Sequence, residues 1–171
     1  MSGSGSSTDS RSMLISIEIT IGAPPERVFA ALTAGTSLWW GAPYIQSRHA
    51  QNLILELRLG GRFYESWSND GNDREGALLG TVVALRRPTL LKLQGGLGMA
   101  DSAYVSTVTF RLERVGETTQ MSVTHGAFGH ITDELEKRYA EGWTQLLQNL
   151  KTLVEMHRGG RGLRDDPTLY Q

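Results

Sequence analysis

Two side chains are placed for chemistry by their neighbours in strand phase. Glu65 lies two residues from Phe63 and two from Trp67. Residues at that spacing share one face of a strand. If that face looks inward, a carboxyl group sits among aromatic rings and can act as an acid or a polar anchor. The plainer alternative is that Glu65 pairs with an arginine or reaches solvent at a cavity mouth. His125 is in phase with Met121 and Val123. Pointing inward, it can hydrogen-bond a ligand or shuttle a proton. The alternative is a core histidine bonded to backbone, because no carboxylate stands at a local spacing that would orient it.

Other chemistries lack their residues. The chain has no cysteine, which removes disulfides, thiolate nucleophiles and Cys-based metal sites. His49, His130 and His157 are scattered, with no His-x-x-x-His or Glu-x-x-His pair, so no metal is expected. Gly60-Gly61 and Gly95-Gly96-x-Gly98 fit neither phosphate-loop pattern. Gly-x-Ser-x-Gly is absent, so a nucleophile elbow is unsupported. No catalytic residue and no cofactor is assigned.

The elements that must position Glu65 and His125 follow from periodicity. Ile15, Ile17, Ile19 and Ile21 alternate with polar residues and mark a strand from about Leu14 to Ile21. Pro24 and Pro25 suit the first turn of a helix carrying Val28, Phe29 and Leu32. Ala34-Gly35 stops it, and Thr36 can cap a second short helix with Leu38, Trp39 and Trp40. From about residue 44 to residue 126, strands prevail. Leu53–Leu59 alternates, Gly60-Gly61 turns, and Phe63–Trp67 follows. Residues 69–73 read as a loop, 76–86 and 89–94 as strands, and 95–101 as a glycine-rich connection. Val105–Arg114 and Thr119–His125 form a hairpin around Gly116-Glu117.

The last element is a long helix. Thr132 can cap it, and Leu135, Tyr139, Trp143, Leu146, Leu147, Leu150 and Val154 repeat at three- and four-residue spacing. Gly159-Gly160 stops it. About 26 residues span roughly 39 Å, enough to cross a whole sheet. Without βαβ alternation the expected class is α+β: a curved antiparallel sheet of about seven strands wrapped around a long C-terminal helix, with two short helices after the first strand. Residues 1–12 read as a disordered lead, 13–158 as one domain, and 159–171 as a polar tail.

Bulk properties narrow the partners. A chain of 171 residues builds one domain with a real core. Its net charge of -1 gives no overall pull toward nucleic acid. No stretch approaches the roughly 18 apolar residues of a membrane span, and the Ser/Gly-rich start has no apolar signal segment. Lack of cysteine fits a reducing compartment, so a cytoplasmic location is expected.

Four passages in order resemble the START-like helix-grip superfamily, also called SRPBCC. More narrowly they resemble its bacterial branch similar to activators of the heat-shock-protein-90 ATPase. They are Ile19–Trp40, Leu57–Trp67 with its Arg-x-Gly-Gly-x-Phe hairpin, Val108–Phe128 with Thr-His before an aromatic, and Tyr139–Glu155 with Gly-Trp. The resemblance runs from about Leu14 to Met156 and implies the helix-grip fold. The superfamily holds lipid carriers, hormone receptors and polyketide cyclases, so fold does not fix function.

The expected function is non-catalytic binding or carriage of a hydrophobic small molecule, aromatic or acyl, in an internal cavity. Trp40, Phe63, Trp67, Phe128, Tyr139 and Trp143 are the expected walls, with Glu65 and His125 as polar anchors. One alternative is a cyclase or aromatase acting on a polyketide, which needs several convergent polar groups. Another is a chaperone-accessory or stress-response interaction protein. A homodimer and a chaperone partner stay open.

Overall fold

The computed structural model describes residues 9–41, 43–45, 52–68, 75–97 and 103–156 of the chain. Its strands are β1 (Arg11–Ile21), β2 (Asn52–Leu55), β3 (Arg62–Ser66), β4 (Gly76–Arg86), β5 (Leu90–Gln94), β6 (Tyr104–Val115) and β7 (Thr118–Gly129). Helices α1 (Pro25–Thr33) and α2 (Thr36–Trp39) follow β1, and α3 (Asp133–Met156) closes the order. The strands form one sheet in the order β1-β7-β6-β5-β4-β3-β2, each neighbouring pair antiparallel. Register shifts at Phe63/Tyr64 and at Val82/Ala84 are places where an extra residue bends a strand. The sheet is curved, and α3, with 24 residues and a length of about 36 Å, packs along it. This is the helix-grip fold.

The apolar phases do the positioning. On β7, Met121, Val123 and His125 face inward, as do Val108, Phe110 and Leu112 on β6. On α3, Trp143, Leu146, Leu147, Leu150 and Val154 meet them from the other side. Pro25 stands at the start of α1, and Val28, Phe29 and Leu32 close one end of the core.

Four local details differ from the sequence reading. First, β1 begins at Arg11, within the twelve-residue lead. Arg11 Nε donates to Ile131 O at 2.7 Å, and its guanidinium pairs with Asp133 and Glu136 of α3, which ties the strand's start down. Second, the alternation Leu53–Leu59 yields strand only to Leu55. Glu56 turns the chain: its carboxylate accepts from Arg62 N at 2.9 Å and from the Arg62 guanidinium. These bonds hold the Glu56 pKa down at about 2. Gly61 belongs to the same turn, since a Cβ there would lie 1.9 Å from Glu56 O. Third, Thr36 is the first residue of α2 rather than its cap, and its hydroxyl donates back to the α1 end, at Leu32 O and Thr33 O. Fourth, the β6–β7 hairpin extends beyond the expected ends, from Tyr104 to Gly129. The expected loop at 69–73 and tail at 159–171, with His49 and His157, lie outside the described residues.

Candidate functional site

The inner face of the sheet and the facing side of α3 bring together most of the expected aromatic walls. Trp40 follows α2, and its indole N–H donates to Tyr44 O at 2.9 Å, which fixes its ring. That ring meets Phe63 of β3 edge-on at 5.2 Å and Trp143 of α3 edge-on at 5.4 Å, centroid to centroid. Trp143 also meets Phe110 of β6 at 5.7 Å. Edge-to-face pairs at such separations are favourable beyond the area they bury, by about 0.5–1.5 kcal/mol each.

His125 adds a polar group to this aromatic cluster. It is 0% exposed and pairs in register with Ile15 on one side and Val108 on the other. Trp143 Nε1 donates to His125 Nδ1 at 3.0 Å. A ring that accepts at Nδ1 is neutral and carries its proton on Nε2. Burial lowers the His125 pKa from 6.5 to about 4. The histidine is therefore bonded to a side chain, not to backbone. Tyr139 packs its ring against the imidazole at 5.0 Å. Its hydroxyl lies 3.3 Å from the Tyr104 hydroxyl and 3.4 Å from Leu97 O, while Tyr104 donates to Gly96 O. Burial pushes both tyrosine pKa values up.

Glu65 is also 0% exposed, on the inner face beside Phe63. Its Oε2 accepts the indole N–H of Trp67 at 3.2 Å. Trp67 itself lies just past the end of β3 and is 37% exposed, so it stands at the rim as a partner of Glu65, not as an interior wall. Phe128 is not part of the group. Inward positions on β7 are odd-numbered, and Phe128 falls between Ala127 and Gly129 on the outer face, 56% exposed. Its place in the sequence reading came from motif position, and strand phase overrides that.

Two residues were underweighted in the sequence. Phe110 packs against Trp143 in the aromatic cluster, and its phase with Val108 and Leu112 carried the signal. Trp39 is buried with its ring 5.5 Å from Trp40, and its indole N–H has no partner among the described residues. Among those residues no three metal-ligating side chains cluster, and no helix is long and apolar enough to cross a membrane.

Comparison with known proteins matches this geometry to a family. No curated protein matches the chain. Among solved structures, an uncharacterized protein from Rhizobium leguminosarum superposes with a TM-score of 0.65 at 20% identity, over 86% of this chain and 97% of that one. A protein from Mesorhizobium loti gives 0.60 at 22% identity, over 84% and 97%. The Aha1 dimer from Colwellia psychrerythraea, solved in solution, gives 0.60 at 21% identity, over 86% and 99%. At these identities the likeness is one of fold. The family model described as "Activator of Hsp90 ATPase homolog 1-like protein" matches residues 22–155. With most of its length matched to that model, the chain belongs to the family of proteins like the activator of Hsp90 ATPase homolog 1.

Proposed function

We propose that this protein binds a hydrophobic small molecule, aromatic or acyl, between the sheet and α3, without transforming it. One observation carries the reading. Trp40, Phe63, Phe110 and Trp143 make an aromatic wall, and two fully buried polar side chains, Glu65 and His125, share its inner face. Small-molecule sites are mostly apolar with a few placed polar groups, which is this composition. Catalysis of a cyclase type needs several polar groups converging on one reacting atom. Here polar groups engage one another or the backbone, Trp67 with Glu65, Trp143 with His125 Nδ1, and Tyr104 with Gly96 O, and among the described residues no set of them converges on one point.

The test is thermal unfolding against a panel of aromatic ketones, aromatic acids and medium-chain acyl compounds. A ligand for the native state raises Tm in a concentration-dependent way. A panel with no compound raising Tm at millimolar concentration would sink the reading.

A second reading, association with another protein, is favoured by a different observation. Val105 and Phe128 are register partners on the outer face, with Leu14 a diagonal step from Phe128 on β1, opposite Gly126, and they are 65%, 56% and 70% exposed. Exposed apolar neighbours of this kind mark interaction surfaces. The Colwellia relative is described as a dimer, so self-association is the first form to examine. Sedimentation of the wild type and of Phe128→Ser decides it: a monomer at all concentrations for both removes self-association.

A further inference from the structure

The two ring nitrogens of His125 have different surroundings. Nδ1 is occupied by the Trp143 indole N–H. Nε2, which then carries the proton, has no hydrogen-bond partner among the described residues. Native folds rarely leave a buried donor without an acceptor, so such a group calls for an explanation. The flanking residues cannot supply one. Ile15 and Val108 are hydrocarbon, and the Tyr139 hydroxyl lies toward Tyr104 and Leu97 O. What Nε2–H lacks is an acceptor atom.

The charge of that acceptor follows from the same interior. No lysine or arginine is among the buried residues described. The imidazole cannot replace one, because protonating Nδ1 would point its N–H at the Trp143 indole N–H. Among the described residues a buried carboxylate or phosphate would therefore find no buried countercharge, which is costly in a low-dielectric site. A neutral carbonyl needs only the one hydrogen bond.

We propose that the occupant is a neutral molecule presenting a carbonyl-type oxygen, a ketone, ester or amide, on an apolar body, and that His125 Nε2–H holds that oxygen. This rests on the binding role proposed above and names the class of ligand for it. The aromatic wall takes the apolar body, and the single donor sets its direction.

The experiment uses two probes of one shape, acetophenone and α-methylstyrene, in which C=O is replaced by C=CH2. Their affinities are measured for the wild type and for His125→Asn. Asparagine keeps an acceptor for Trp143 and has no group at the Nε2 position. Comparing ratios cancels the probes' different hydration. The ratio of acetophenone to α-methylstyrene affinity is expected to fall about tenfold in the variant, the worth of one such bond. An unchanged ratio, with both probes binding, leaves the binding role standing and overturns the carbonyl assignment. Neither probe shifting any tryptophan indole resonance of the wild type at saturation counts against both. Histidine-selective 1H–15N spectra of the wild type need no variant. Acetophenone is expected to move the His125 Nε2–H signal downfield. A signal shifted upfield by the Tyr139 ring, and unmoved with acetophenone bound, means the donor is spent on that ring and overturns the proposal.

Discussion

Acidification puts the enclosure of His125 to a quantitative test. In the unfolded chain this imidazole takes a proton near pH 6.5, and in the native protein near pH 4, because burial disfavours the charged ring. Between those values the unfolded chain binds a proton that the native chain does not. Stability therefore rises with pH across the window: the contribution is fully present above 6.5 and is lost as pH falls toward 4. The gap from 6.5 to about 4, at about 1.4 kcal/mol per pH unit, comes to about 3–4 kcal/mol in full, of which about 3 kcal/mol is lost by pH 4. Domains are typically stable by only about 5–15 kcal/mol, so the loss is large. Urea unfolding followed by circular dichroism, from about pH 7.5 down to about pH 4, measures it for the wild type and for His125→Asn. The variant accepts from Trp143 but does not titrate. The wild type is expected to lose about 3 kcal/mol more than the variant over this range. Glu56 does not confuse the comparison, since its native pKa is held near 2 and it is present in both proteins. Parallel curves would mean that the ring is reachable by a proton at no cost and is not enclosed.

Other residues give independent expectations. Trp143→Ala removes a ring that touches Trp40, Phe110 and His125, and is expected to cost about 3–5 kcal/mol in urea unfolding. Phe128→Ser, on the outer face, is expected to change stability by less than about 0.5 kcal/mol in the same assay. Gly61→Ala forces a Cβ into Glu56 O, and calorimetry is expected to record a loss above about 2 kcal/mol. Arg62→Gln removes the guanidinium but keeps the Arg62 N–H bond to the Glu56 carboxylate, so NMR titration is expected to show its pKa rising from about 2 part of the way toward 4.5; the stability lost as pH falls between those values then becomes smaller.

Strand and helix periodicity carried most of the architecture. Alternation on β1, β6 and β7 and the three- and four-residue spacing on α3 follow from burial on one face, and that information is local. The same phase put Glu65 and His125 on the inner face. What stayed hidden depends on side-chain partners that the alternation does not encode. The end of β2 at Leu55 is set by the Glu56–Arg62 bonds, and the start of β1 by the reach of Arg11 to α3, 122 and 125 residues away at Asp133 and Glu136. The bond from Trp143 to His125 spans two elements and has no local pattern. Phe128 illustrates the reverse error, in which a motif position outweighed an alternation that was already visible in Met121, Val123 and His125.

The proposed binding role requires the interior to take a hydrophobic small molecule. Native mass spectrometry of freshly purified protein, followed by denaturation and analysis of whatever is released, tests it most directly. A stoichiometric adduct that leaves on denaturation is expected, either as purified or after incubation with a mixed lipid and aromatic metabolite library. A bare protein mass under both conditions would contradict it and leave the outer face as the better place to look for function.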